Sequence, residues 1–198
     1  MKKALFLILD QYADWEMAHL STILNQHDKW CTNTISLTNN VKSIGGLSVN
    51  VDFNIKNYND DFDLLILVGG NTWNTNNQAL LTFIQKAFKK NIVIGAICGS
   101  VDYLAKNGLL NDYKHTGNAL SLWNDFDKYT GSHYFIAKQV VRDRNLVTAN
   151  GTASVEFLEH VLKTISFDSN ENIHQKIFMI NHGYYKYCDI YGDPFDKM

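Results

Sequence analysis

A cysteine flanked by small residues stands where a short apolar run gives way to a helical pattern, in residues 91–100, Asn-Ile-Val-Ile-Gly-Ala-Ile-Cys98-Gly-Ser. Residues 92–95 read as a strand, and residues 101–107, stopped by Gly108, read as a short helix. Cys98 therefore falls on the turn between a strand's C-terminal end and a helix's N-terminus. Unpaired N–H groups and the positive end of the helix dipole favour an anion there, and the thiolate is the nucleophilic form of cysteine. The placement is that of a nucleophile elbow, in which a sharp turn exposes the reactive atom above a sheet. The competing reading is a small buried apolar residue, the usual fate of a free cysteine.

That turn must be held by a sheet. Residues 3–9, 63–68 (followed by Gly69-Gly70) and 92–95 are near-continuous apolar runs, as expected of strands covered on both faces. Between them, residues 14–26 carry Trp15, Ala18, Ile23 and Leu24, and residues 77–89 carry Leu80, Leu81, Ile84, Ala87 and Phe88, both sets at helical spacing. Strand-helix alternation argues for a parallel α/β sheet. Residues 29–37 add a strand, 41–52 read as a β-ribbon turning near Gly45-Gly46, and 139–142 with 145–148 flank an Asp143-Arg144 turn. Residues 152–165 form a helical pattern after Asn150-Gly151. A last helix is expected over 171–187, its Ile173, Ile177, Phe178, Ile180 and Tyr184 needing a partner.

A chain of 198 residues suits one domain with a substantial core. Its 18 basic and 20 acidic residues leave a net charge of −2, without the basic footprint that nucleic acid or an anionic membrane surface requires. The apolar run 4–9 is too short for a signal-peptide core or a membrane span. Cys31, Cys98 and Cys188 are odd in number and widely spaced, which suits a reducing cytoplasm. No metal or other cofactor is expected, because the histidines are scattered and Gly69-Gly70 lacks the third glycine of a dinucleotide fingerprint.

Five segments together resemble the ThiJ/PfpI family of the class I glutamine amidotransferase-like superfamily. They are Leu5 to Leu9 followed by Asp14-Trp-Glu16-Met, Ser43-Ile-Gly-Gly-Leu47, Leu67-Val-Gly-Gly70, Ala96-Ile-Cys98-Gly99 and residues 146–154. The resemblance implies a flavodoxin-like three-layer α/β/α sandwich over residues 1–167, with 168–198 as a helical extension packed on the domain or on a partner subunit. It implies that Cys98 is the reactive thiol and that Glu16 hydrogen-bonds to it. A second negative charge would raise the thiol pKa, so Glu16 helps only if burial keeps it protonated and it donates. Backbone N–H groups of Gly70 and Gly99 would meet a developing oxyanion. The resemblance also makes a homodimer the expected assembly.

Departures from the family narrow the chemistry. The position after the cysteine, a histidine in protease-like members, is Gly99 here. None of the seven histidines heads the His-x-Glu pair of true glutaminases, which disfavours glutamine hydrolysis. Where deglycase-type members carry Lys-x-Thr-x-His, this chain has Lys114-His115-Thr116-Gly117-Asn118, so Asn118 can orient a substrate but cannot exchange protons. His115, three positions earlier, is expected to face the other side of a strand, and a surface or structural role competes with a catalytic one. Asn71, Trp73 and Trp123 are candidates for the pocket wall, although both indoles fit an ordinary core equally well. Glu16 has its own alternative as an exposed acid in a helix's first turn.

The expected function is a cysteine-dependent hydrolase or stress-response protein acting on a small carbonyl or amide-like molecule. The alternative is a redox sensor that works by oxidation of Cys98 without turnover.

Overall fold

The computed structural model describes residues 1–196. Its main sheet contains β1 (Lys2–Leu7), β2 (Trp30–Ser36), β5 (Phe53–Asn54), β6 (Leu64–Leu67), β7 (Val93–Ile97), β8 (Val140–Asp143) and β9 (Leu146–Ala149), in the order β5-β2-β1-β6-β7-β9-β8. Neighbours are parallel except β8, which runs antiparallel to β9 at one edge. A separate ribbon pairs β3 (Asn40–Lys42) with β4 (Ser48–Asn50). Six helices follow in chain order: α1 (Asp14–Asn25), α2 (Gln78–Lys89), α3 (Gly99–Lys106), α4 (Ser154–Thr164), α5 (Asn170–His182) and α6 (Tyr184–Tyr191).

Both faces of the sheet are covered, which is why its inner strands are apolar throughout. Along the first strand and its continuation, Ala4, Phe6 and Ile8 enter the layer shared with α1, α4 and α5, while Leu5, Leu7 and Leu9 enter the layer shared with α2 and α3. Each fully buried leucine contributes about 1.5–3 kcal/mol. The result is the three-layer sandwich the sequence implies. Strand order reverses at β1: the chain moves to β2 on one side and then returns to β6 on the other. The carboxyl ends of β1, β6 and β7 thus open onto one crevice, where ligands bind in open α/β sheets.

Two expectations are corrected. Helix α1 does not bury Trp15 and Ala18, which face solvent; its buried positions are Glu16, Leu20 and Leu24, spaced by four, so a carboxyl group heads the core-facing stripe. The single helix expected over 171–187 is two helices broken at Gly183, whose φ of +82° suits glycine and ends α5. Ile173 and Ile177 of α5 enter the layer of α1 and α4. Residues 197 and 198 of the expected C-terminal extension lie outside the described residues.

Strand β7 needs Gly95. A Cβ there would lie 2.7 Å from Phe157 Cζ and 2.8 Å from Ile66 Cδ1. Gly95→Ala is expected to destabilise the chain by about 1–3 kcal/mol through overpacking. Urea unfolding should show a lower midpoint at an unchanged slope, and an unchanged midpoint would contradict this packing.

Candidate active site

Cys98 caps α3 with φ 60° and ψ −131°, a left-handed-side conformation that a side-chain-bearing residue holds only when its surroundings enforce it. Here they do. The Cys98 N–H donates to the Ala149 carbonyl at 3.0 Å, and the Cys98 carbonyl accepts from Val101 at 2.9 Å. Ser100, fully buried, accepts the Ile97 N–H with Oγ at 2.9 Å, and the same hydroxyl lies 2.7 Å from the Leu67 carbonyl. The elbow is therefore tied to β6, β7 and β9 together.

Three glycines let other groups close around the sulfur. A Cβ on Gly69 would lie 2.3 Å from Glu16 Oε2 and 2.6 Å from Cys98 Cβ, and one on Gly151 would lie 2.8 Å from Cys98 Sγ. Gly70, at φ +145°, crosses the loop after β1 so closely that a Cβ would lie 2.3 Å from the Gln11 carbonyl oxygen. That crossing is pinned by hydrogen bonds from Ala13 N–H to the Gly69 carbonyl at 3.0 Å and from Asn71 N–H to the Gln11 carbonyl at 3.1 Å. The β3–β4 ribbon braces the same loop, with Gly45 N–H donating to Asp14 Oδ2 at 2.8 Å and Ile44 N–H to the Tyr12 carbonyl at 2.9 Å. Glu16 is thereby delivered to the cysteine.

The Glu16 residue is 2 % exposed. Its Oε2 accepts the Gly69 N–H at 2.7 Å, while the buried Oε1 has no hydrogen-bond partner among the described residues, with the Cys98 thiol acting on the carboxyl as a neighbour. Burial raises the carboxyl from the ordinary 4.5 to about 7, against the opposing pull of the Gly69 N–H and the thiol. Burial, the largest effect, together with the charge of ionised Glu16 raises the Cys98 thiol above its ordinary value, against the downward pull of Asn118 and the Gly99 N–H. This corrects the sequence expectation that the helix terminus alone would favour the thiolate. The contribution of Glu16 changes sign with its own protonation, because a neutral carboxyl donates a proton to sulfur and an ionised one repels the thiolate.

Asn118 reaches the sulfur from the opposite side, its Nδ2 lying 3.4 Å from Cys98 Sγ. Its Oδ1 accepts the Gly151 N–H at 3.0 Å, which fixes the amide so that the NH₂ faces sulfur. Asn150 in turn donates to the carbonyls of Gly117 and Asn118 at 3.4 and 3.3 Å. Gly69, Ser100, Asn150 and Gly151 are parts of the site that sequence reasoning missed as functional. The first was visible as half of a glycine pair after a strand, and the last two as the Asn-Gly turn after residues 146–149.

His115 and Trp123 do not join this group. The His115 ring is fully buried, with Nδ1 2.6 Å from the Tyr113 carbonyl and Nε2 2.7 Å from the Tyr129 hydroxyl. It packs among Trp123, Tyr129 and Phe135, and burial lowers its pKa. Trp123 is buried under Gly117, where a Cβ would meet its ring at 2.6 Å, and its Nε1–H donates to Asp102 Oδ1 at 2.7 Å. Both support the segment that carries Asn118 from beneath. Asn71 and Trp73 do line a hollow of about 300 Å³ that opens beside Gly70 and Gly99, with Asp102 and Tyr103 on its wall. A second hollow of about 540 Å³ lies on the Asn118 side. Larger hollows of about 600 and 750 Å³ lie elsewhere and have none of these residues on their walls. Among the described residues no three His, Cys, Asp or Glu side chains come together as a metal site would need, and no helix is long and apolar enough to cross a membrane.

Comparison with known proteins agrees with this architecture. The model of the DJ-1/PfpI family matches residues 2–164. A Bacillus subtilis protein named uncharacterized protease YdeA is 53 % identical over 195 residues, covering 98 % of this chain and 99 % of that protein. A second from the same organism, named uncharacterized protease YoaZ, is 34 % identical over 83 % of each chain. The crystal structure of the ThiJ/PfpI family protein from Bacillus anthracis superposes with a TM-score of 0.87 at 30 % identity, covering 94 % of this chain and 93 % of that one.

The buried carboxyl has a measurable cost. Glu16 holds its proton more tightly in the folded chain than in the unfolded one, so the folded state binds more protons between about 4.5 and 7 and stability falls as pH rises through that window. The loss is on the order of 3 kcal/mol once pH exceeds 7. Glu16→Gln keeps the acceptor for Gly69 and cannot ionise. Chemical denaturation should find it about as stable as the wild type near pH 4 and clearly more stable near pH 8. Equal stability at both would contradict a buried, protonated glutamate.

Proposed function

Because the chain belongs to the DJ-1/PfpI family, we propose that it acts as a cysteine-dependent enzyme of the hydrolase type on a small carbonyl or amide-like substrate, and not as a glutaminase. The observation that carries this reading is the buried Glu16 carboxyl set against a half-buried thiol on a strained elbow. Burial holds the Glu16 carboxyl up to about 7 and also raises the thiol, so near neutral pH the pair keeps a proton that passes from sulfur to the carboxylate as sulfur attacks. Asn118 and the Gly99 N–H are the donors that meet the sulfur as it gains charge. The proton on Glu16 is then available to the reaction.

In this reading the Cys98 sulfur bonds to the substrate's carbonyl carbon and the carbonyl electron pair moves to oxygen. Gly70 and Gly99 N–H groups meet that oxyanion. For an amide, Glu16 protonates the departing nitrogen as the C–N bond breaks, leaving a thioester that water hydrolyses with Glu16 as base. Turnover on unactivated amides is expected to be slow, because no histidine among the described residues bonds to Cys98 or Glu16. The setting is cytoplasmic. A homodimer through α1 and the β3–β4 ribbon belongs to the same reading, supported by Trp15, Ile44 and Leu47, which expose 51, 43 and 61 % of their surface.

The second reading is a redox sensor or stress-response protein. The same Asn118, Gly99 and Glu16 donors would hold a sulfinate on Cys98, and that is the observation in its favour. Consumption of a simple dicarbonyl and hydrolysis of an activated ester separate the two. The enzyme reading expects both activities to vanish in Cys98→Ser and to fall about 100-fold or more in Glu16→Gln, in line with loss of an acid-base group. No catalysis in the wild type, together with selective peroxide oxidation of Cys98 by mass spectrometry, would replace it with the sensor.

A further inference from the structure

Asp102 stands one helical turn beyond Cys98, on the order of 6 Å along α3. Its position in the first turn suits the helix dipole, and its Oδ1 accepts the buried Trp123 indole N–H at 2.7 Å. The indole contact does not itself need a charge, since an asparagine oxygen would satisfy it equally well. Yet the carboxylate lines the 300 Å³ hollow that begins at Gly70 and Gly99. Its natural partner on the helix is Lys106, four residues on. That lysine instead donates to Asn74 Oδ1 at 2.8 Å, and among the described residues Asp102 makes no ion pair. Burial lifts the Asp102 carboxyl above the usual range while the Trp123 N–H holds it down, and a bound cation would favour its ionised form.

The remaining walls suit the apolar part of such a cation. Trp73 and Tyr103, both almost fully buried, lie with ring centroids 5.4 Å apart, Phe126 and the exposed Leu122 add apolar wall, and Lys106, whose ammonium is held by Asn74 Oδ1, also lines the hollow. Aromatic faces with one carboxylate attract organic cations more than neutral or anionic groups. The indole edge also runs up to the elbow, with Trp73 Cδ1 3.6 Å from where a Gly99 Cβ would be. The hollow thus reaches Gly99, the residue that follows Cys98.

We propose that this hollow is a substrate subsite for an ammonium or guanidinium group, with Asp102 as the specificity-determining residue. The proposal rests on the reading of Cys98 as the nucleophile. The substrate class narrows to small carbonyl or amide compounds that carry a basic group a few bonds from the electrophilic carbon, and the volume, at the lower end for small-molecule sites, fits one basic side chain.

Three methanethiosulfonate reagents test it: ethylammonium, neutral methyl and ethylsulfonate. Labelling rates at Cys98 are read by peptide mass spectrometry at neutral pH, with the methyl reagent as reference in each protein. The ethylammonium-to-methyl ratio is expected to be about tenfold higher in the wild type than in Asp102→Asn, the effect of one charged contact. An equal ratio in the two proteins, or faster labelling by ethylsulfonate through Lys106, overturns the proposal. Slow methyl labelling of Cys98 in both proteins would instead sink the nucleophile reading. The subsite is then judged by NMR of the Trp73 indole titrated with n-butylammonium against n-butanol. A saturable shift with the ammonium that disappears in Asp102→Asn upholds the subsite, and its absence in the wild type removes it.

Discussion

Keeping a carboxyl group at 2 % exposure beside a thiol is the constraint around which this molecule is arranged. An isolated buried carboxylate is strongly disfavoured, so the group either keeps its proton or finds donors, and here one N–H donor reaches Oε2 and no hydrogen-bond partner reaches Oε1 among the described residues. The thiol in turn sits on a strained turn that Ser100 and β9 hold shut. Neither group would persist in this state alone. Each affects the protonation of the other, and burial holds both above their ordinary values.

The surrounding architecture serves that pairing. Glu16 follows β1, Gly69 follows β6 and Cys98 follows β7, three adjacent strands whose carboxyl ends meet where the strand order reverses. Glycines stand where a side chain would force the partners apart, at 69 between carboxyl and cysteine and at 151 against the sulfur. On the far side Asn118, an amide that cannot exchange protons, reaches the sulfur. It is held from below by the buried cluster of His115, Trp123 and Tyr129. The site thus has an orienting donor in place of a second proton carrier, and this limits what it can catalyse.

Much of this was legible in the residues. The strand-turn-helix pattern around Cys98 placed the elbow, and the continuous apolar runs placed the parallel sheet, because both depend on local sequence. Glu16 was identified from the family resemblance, although the Glu16, Leu20, Leu24 spacing would have marked it as core-facing. The apolar residues Trp15 and Ala18 drew the helix face the wrong way, since the face that meets the sheet is the one carrying Glu16, Leu20 and Leu24. Gly183 looked like a tolerable glycine inside a helical pattern, and only its positive φ divides the last helix. His115 and Trp123 were indistinguishable from pocket residues by type, because their direction depends on contacts with Tyr129, Phe135 and Asp102 that lie distant in the chain.

The central claim is that the Glu16 carboxyl and the Cys98 thiol titrate as a coupled pair. Ultraviolet titration of the thiolate, taken as the difference from Cys98→Ser in the same background, measures this directly. The account predicts that the thiolate emerges at lower pH in Glu16→Gln than in the parent chain, because the ionised Glu16 carboxylate holds the thiol up. A thiolate titration that Glu16→Gln leaves unmoved would contradict it.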